Sequence, residues 1–378
     1  MQLLIGGDLA PTDSNKELFS DGDVNTLLGE ELLSIWNNAD IRILNLETPL
    51  TDKISPIAKY GPNLFAPTST VVGIKALHPT LLALANNHIL DQGVQGLKST
   101  IQVLSENGIP FVGIGDNLFE ASRPYILEHG GMKIGIYACA EHEFTIATDT
   151  TAGANPFDPL ESLDHIQDLK AKCDYVIVLY HGGKEHYRYP SPYLQRVCRK
   201  IVEKGADLVV CQHSHCIGCY EVFKDSYIVY GQGNFLFDRS ESEYWQTSLL
   251  IRLSLGIGTK FIVDFIPIIK KGNCVRLASG SVKSQILSDF EKRSSEIKIK
   301  GFIENQFQKF ALSIGKSYLS KLAGYGRIRN AIERMLFRYA FVRIKYNNRK
   351  MLMIKNYIEC EAHRELLIKY LDNNQENY

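Results

Sequence analysis

The chain has 378 residues and is 45% hydrophobic, enough to bury a substantial core in one large or two smaller domains. Its 42 Lys and Arg balance its 42 Asp and Glu, so the overall charge argues neither for nor against an anionic partner. No stretch approaches the roughly 20 apolar residues of a membrane span. The opening MQLLIGGDLAPT lacks the charged region and long apolar run of a signal peptide, and eight scattered cysteines suit reduced, buried thiols better than a disulfide framework. The expectation is a soluble cytoplasmic protein.

The first expected element is a strand, Gln2–Ile5, ending in Gly6-Gly7-Asp8, where glycines let the backbone turn and present a carboxylate. An Asp capping the next helix fits the same residues equally well. A helix is expected over Val24–Asn38 and a second strand over Ile41–Leu46. That strand ends in Asn45-Leu46-Glu47-Thr48-Pro49, again a carboxylate at a strand terminus, with Pro49 stopping the ladder. Leu81–Ala85 reads as a third strand and gives way to Asn86-Asn87-His88, with Asp91 and Gly93 just after. Two Asn before a His at a strand end are hard to explain by packing. The plainer alternative is an Asx-turn or helix cap leading into Asp91–Glu106.

A helix over Val94–Asn107 and a short strand, Phe111–Gly113, continue the α/β rhythm. Tyr125–Ala138 holds two strands around His129-Gly130-Gly131, a hairpin turn. Glu141-His142-Glu143 reads as a substrate-loop or solvated segment rather than a ligand cluster. Thr145–Pro159 is a loop able to cover a site, and Leu160–Lys172 a helix.

The stretch from Tyr175 to Asp238 organises the rest. Tyr175–Tyr180, Leu208–Cys211 and Tyr227–Tyr230 are short, β-branched-rich runs that read as fully buried strands. Each runs into ligand-type residues: His181 and Glu185, then His213 and His215, then Asn234 and Asp238. Open α/β sheets put their chemistry beyond the carboxyl ends of their strands, and the repetition after three strands marks a metal site. Cys216-x-x-Cys219 lacks the second pair that structural zinc wants and reads as two ordinary thiols. Gln246–Leu255 and Lys260–Ile269 look like an antiparallel pair joined by Gly256-Ile257-Gly258.

Near residue 280 the texture turns helical and more polar, so the chain is divided into 1–275 and a helical extension, 280–378. Ile303, Phe307, Phe310, Ile314 and Tyr318 fall on one helix face. Between Lys316 and Lys350, Lys316, Lys321, Arg327, Arg329, Arg334, Arg338, Arg343, Lys345, Arg349 and Lys350 stand against Glu333 alone. A solvated face over an apolar one accounts for this, and so does a docking surface for a polyanion or peripheral contact with an anionic membrane. Nucleic acid is not an expected partner.

Collected, Asp8, Glu47, Asn87, His88, His181, His213 and His215 combine carboxylates, an amide oxygen and imidazoles, a set suited to Mn²⁺, Fe²⁺ or Zn²⁺. Two such ions about 3.5–4 Å apart can share a carboxylate, Glu47 or Asp8 here, and clamp a phosphoryl oxygen. One ion or two is left open.

In this order, Gly7-Asp8, Asn45-Leu46-Glu47, Ala85-Asn86-Asn87-His88-x-x-Asp91-x-Gly93, His181-x-Gly183-x-Glu185, Gly205-Ala206-Asp207-Leu208-Val209-Val210-x-x-His213-x-His215 and Gly233-Asn234-Phe235-x-Phe237-Asp238 resemble the motif series of the CapA family. This is the poly-γ-glutamate capsule-biosynthesis type, related to the calcineurin-like metallophosphoesterases, and the resemblance covers roughly residues 1–270. It implies a four-layer α/β/β/α metallophosphatase-like sandwich with a metal centre between two sheets, followed here by the helical extension. It implies metal ligation by Asp8, Glu47, Asn87, His181, His213 and His215, with Glu47 standing where the wider superfamily has its bridging Asp. His88 is implied as general acid or charge-stabilising group, with Asp91 and Glu185 as further catalytic candidates and Asn86 and Asn234 as substrate contacts.

Two departures matter. Ala10 stands where the superfamily has a His ligand, and the anchor or signal common in CapA-type proteins is not seen. The implied activity is metal-dependent hydrolysis, of metallophosphoesterase type, acting on an anionic small molecule or polymer in capsule or cell-envelope biosynthesis. The alternative is a non-catalytic accessory module of a synthesis complex, with a degenerate metal site and envelope-synthesis proteins as partners.

Overall fold

The computed structural model describes residues 1–256, 258 and 261–375, which divide into two units, Met1–Ile303 and Glu304–Tyr378. In the first unit the larger sheet runs Cys274–Leu277, Ile262–Lys271, Thr247–Ser254, Gln2–Leu9, Ile41–Leu46, Leu81–Ala83, Phe111–Val112, and Asn234–Leu236 also pairs with Gln2–Leu9. The second sheet runs Tyr220–Phe223, Ser226–Val229, Leu208–Gln212, Tyr175–His181, Met132–Ala140, Tyr125–His129.

Strand periodicity sorts the side chains into layers. Leu3, Ile5, Ile43 and Leu81 of the first sheet pack against Ile134, Ile136, Ile177 and Val210 of the second. Their neighbours Leu4, Leu44 and Leu82 point the other way and pack on Leu32, Trp36, Ile74, Leu97 and Leu104, which come from helices Glu30–Asn37, Val71–Ala76 and Gly93–Glu106. Beyond the second sheet, Val176, Val178 and Val209 bury Ile166 and Leu169 of helix Ser162–Lys170 together with Val197 and Ile201 of helix Pro192–Glu203. The fold is therefore the four-layer α/β/β/α sandwich expected from the sequence. Each fully buried Leu or Ile contributes about 2 kcal/mol, so the three apolar interfaces hold the layers in place and leave the strand ends free for chemistry.

Those ends are ordered by a change of partner in the first strand. Its register slips between Ile5 and Asp8; Gln2–Ile5 pair antiparallel with Thr247–Ser254, whereas Asp8 pairs parallel with Asn234 and Asn45. The crossing is tight: a Cβ on Gly7 would lie 1.9 Å from the carbonyl oxygen of Gly233. The obstructing atom is backbone, so Gly7→Ala is expected to destabilise the chain by about 3 kcal/mol, read as a lowered urea midpoint at unchanged slope. A midpoint equal to wild type would show that the two strands part freely.

The helix expected over Val24–Asn38 is two, Val24–Leu28 and Glu30–Asn37, because Gly29 at φ +73° ends the first before the second begins. The hairpin turn falls at Gly130 and Gly131, both at positive φ. Of the expected antiparallel pair, Ile257 in the connection and Lys260 at the start of the second strand lie outside the described residues. The second unit is helical, with the remainder of helix Phe302–Leu322 followed by Arg327–Met335, Ala340–Lys345, Asn348–Glu359 and Glu361–Gln375. Among the described residues no helix is long and apolar enough to cross a membrane.

Candidate metal centre

Asp8 and Glu47 sit at the ends of neighbouring parallel strands, and His181 and the segment after Gln212 at the ends of neighbouring parallel strands in the other sheet. Across the gap the Asp8 carboxylate accepts hydrogen bonds from Asn45 Nδ2 at 2.7 Å and from the His213 backbone N–H at 3.2 Å. Three overlapping sets place one ligand atom from each member within 4.8 Å of the others: Glu47 with His181 and His213, Glu185 with His213 and His215, and Asp8 with Glu47 and His215. Asn87 joins the first set, its Oδ1 lying 3.1 Å from His181 Nε2, which is itself 3.4 Å from Glu47 Oε1. Donors bound to one ion at about 2.1 Å stand about 3 Å apart when adjacent, so the spacings of Asn87, His181 and Glu47 are ones that a shared ion could bridge.

Glu47 is the residue that needs an explanation. It is fully buried, and neither carboxylate oxygen has a hydrogen-bond partner. Three imidazole nitrogens face Oε1: His181 Nε2, His215 Nε2 at 3.9 Å and His88 Nε2 at 4.0 Å. A buried, unbonded carboxylate is costly. A divalent cation would relieve that cost, and the buried, unbonded His213 Nδ1 offers a neutral donor beside it. The backbone adds a second sign, since His186, His213 and His215 all adopt positive φ, a conformation that costs a non-glycine residue about 1 kcal/mol.

The charges agree. Burial, then the Asp8 charge, push the Glu47 carboxyl well above its usual range. Burial works in the same direction on Asp8, but its hydrogen bond with His215 and the nearby His181 outweigh it and keep Asp8 ionised. Burial lowers His181 to about 4 and His213 well below an ordinary imidazole. Burial would lower His215 too, yet Glu47 and Asp8 push it up to about 9. At neutral pH the metal-free Glu47–His215 pair therefore holds a proton that a divalent cation would displace. Affinity for Mn²⁺ is expected to rise about tenfold per pH unit from about pH 6 to about pH 8, with proton release visible calorimetrically as a dependence on buffer ionisation heat. Uptake independent of pH would contradict this charge distribution.

His88 stands beside the ligand set. Its Nδ1 lies 2.6 Å from Asp91 Oδ2, leaving Nε2 toward Glu47. Asp91 is fully buried and also accepts from the Leu64 backbone N–H at 2.6 Å and from Lys59 Nζ. Asn234 Oδ1 meets His215 Nδ1 at 2.8 Å, and its own Nδ2 is buried and unbonded. Glu185 is half-buried at the side of His213 and His215. Asn86 is fully buried, and its amide bonds Leu46 O, Asn45 Oδ1 and the His88 N–H, which anchors the turn.

Sequence reasoning missed Lys59, Asn45 as a partner of Asp8, and His186, whose ring stacks on Tyr244 and accepts from Trp245 Nε1 at 2.9 Å. Only His186, next to Glu185, carried a usable signal. Ala10 is buried in an apolar cluster with Phe237 and Trp245. Cys216 and Cys219 are free, buried thiols, and burial pushes Cys216 up to about 11.

The sequence profile of the family described as bacterial capsule synthesis protein PGA_cap matches residues 2–239. The chain is 29% identical over 269 residues to the capsule biosynthesis protein CapA of Bacillus anthracis, which covers 68% of this chain and 65% of that protein. It is 30% identical over 213 residues to the PGA biosynthesis protein CapA of Bacillus subtilis strain 168, covering 54% and 55%. The chain thus spans about half to two thirds of the length of these relatives. Among solved structures, a 5'-nucleotidase precursor from Thermus thermophilus aligns at TM-score 0.42 and 13% identity over 77% of this chain and 59% of that one.

Proposed function

The chain belongs to the bacterial capsule synthesis protein PGA_cap family, and on that premise we propose that it is a metal-dependent hydrolase acting in anionic-polymer, capsule or cell-envelope biosynthesis of the poly-γ-glutamate kind. The observation that carries this reading is the pair of Glu47 oxygens, buried without hydrogen bonds and faced by three imidazoles. Asp8, Glu47, Asn87, His181, His213 and His215 would hold one or two ions of Mn²⁺, Fe²⁺ or Zn²⁺. When bound, the ion supplies Lewis acidity toward a phosphoryl or related oxygen and lowers the pKa of water.

The chain's own groups do the rest. Asp91 fixes the His88 ring through Nδ1, and His88 Nε2 is the atom placed to give a proton to a leaving group. Asn234 Nδ2, unbonded and beside His215, offers a donor to an anionic oxygen. Glu185, with partial access to solvent, is a contact for the substrate or a further proton carrier.

A second reading is favoured by one observation. With Ala10 packed against Phe237 and Trp245, a ligand of the wider superfamily is missing, and a degenerate centre would suit an accessory module among envelope-synthesis proteins. The experiment is a screen of the Mn²⁺-, Fe²⁺- and Zn²⁺-loaded protein over phosphoesters and polyglutamate. Metal-dependent turnover of any of them supports the hydrolase; loaded protein inert on the whole panel moves the conclusion to the accessory module.

A further inference from the structure

We propose that the second unit binds the surface of an anionic lipid bilayer through the basic, apolar side of its helices Arg327–Met335 and Ala340–Lys345. Ile328, Ile332 and Met335 recur at i, i+4 and i+7 and so share one helix face; all three are exposed, Ile328 at 80% and Met335 at 73%. Leu336, Phe337, Phe341 and Ile344 extend the exposure, and the two Phe rings meet edge-on at 5.0 Å. Single exposed apolar side chains are ordinary, but seven large ones between residues 328 and 344 form a surface that water does not favour.

Charge selects the occupant. Ten Lys and Arg between Lys316 and Lys350 stand against Glu333, and Glu333 is itself buried, so the exposed charge is of one sign. Arg334, Arg338, Arg343 and Lys345 are exposed among the apolar residues. A second copy on the same face would set these cations against each other. Anionic headgroups would complement them while the apolar side chains enter the acyl boundary, the arrangement of an interfacial helix. Since no described helix can span a bilayer, the contact is at its surface. This inference is independent of the metal centre.

The test is cosedimentation of the full chain with vesicles of phosphatidylcholine alone and of phosphatidylcholine mixed with phosphatidylglycerol. Capture is expected on the mixed vesicles only, weakening as salt is raised. Each cation near an anionic surface is worth about fivefold in partitioning, so losing three of them should weaken capture about 100-fold, and Arg334→Glu with Arg338→Glu and Arg343→Glu, which reverses their charge, by more than that. The corresponding triple Lys variant should keep it, and Ile328→Asp with Ile344→Asp should lose it. Circular dichroism reports that each variant keeps its helices. Equal capture on both kinds of vesicle, capture on neither, or undiminished capture of the Glu variant overturns the proposal. A solution dimer dissolved by the Asp variant also overturns it, because it would give this face to a second copy of the chain.

Discussion

Glu47→Gln protein, purified without chelator, is expected to have lost the bound divalent metal that wild-type protein retains. Glu47 belongs to two of the three ligand sets, and its oxygens have no other partner to turn to. Removing even an outer partner of a metal ligand weakens affinity about 10- to 100-fold, and removing a shared carboxylate should exceed that. Two measurements separate this from a structural role. Elemental analysis reads the metal directly, with His213→Ala as a second ligand variant. Thermal melting reads it indirectly: saturating Mn²⁺ at about a thousandfold over Kd adds about 4 kcal/mol to wild type, on the order of 8 °C for a domain of this size, and nothing to the variant.

The sign in the absence of metal is the sharper check. A buried carboxyl without a hydrogen bond is a liability that its distant contact with His215 offsets only in part, so metal-free Glu47→Gln should melt no lower than metal-free wild type. A variant that keeps its metal would remove Glu47 from the centre. A variant that melts several degrees lower without metal would mean that the carboxylate stabilises the fold by itself.

How much of this was legible follows from what each residue depends on. Asp8, Glu47, Asn87, His181, His213 and His215 stood out because a buried strand leaves little reason for a polar residue at its end, and parallel strands in two facing sheets bring such ends together. The layers were legible for a similar reason, since the alternation of Leu3, Leu4 and Ile5 is enough to assign each side chain to a face. Lys59 was not legible. It lies in an irregular stretch with no periodicity, and its approach to Asp91 is set by hydrogen bonds from that stretch to residues more than 25 positions away: Ser55 N to Gln92 Oε1, Ile57 N to Asp91 O and Leu64 N to Asp91 Oδ2. The break at Gly29 was hidden because the apolar helical period runs on through it. The hydrogen bonds that tie Asn86 to Leu46 O and Asn45 were not legible, because a turn anchor and a substrate contact call for the same amide.

His88→Asn should separate chemistry from metal binding. For whichever substrate the metal-loaded protein turns over, the rate is expected to fall about 10²- to 10⁴-fold, the range for loss of a positioned proton donor, while bound metal stays at the wild-type level. The geometry sets both halves of that expectation. His88 Nε2 is 4.0 Å from Glu47 Oε1, the outermost of the three imidazoles around it, and Nδ1 is committed to Asp91 at 2.6 Å. Asp91→Asn can still hydrogen-bond the ring but removes the charge that favours the imidazolium, the form protonated at both Nδ1 and Nε2, against the effect of burial, so it should lower turnover too, again at full metal content. It should also lose stability, because the Lys59 cation would be left buried without its counter-charge, an effect of about 3–5 kcal/mol. Loss of metal together with turnover in His88→Asn would make His88 a ligand rather than a proton donor. Unchanged turnover with unchanged metal would leave the Asp91–His88–Lys59 cluster as a strap holding the loop, and would favour the accessory reading of the whole centre.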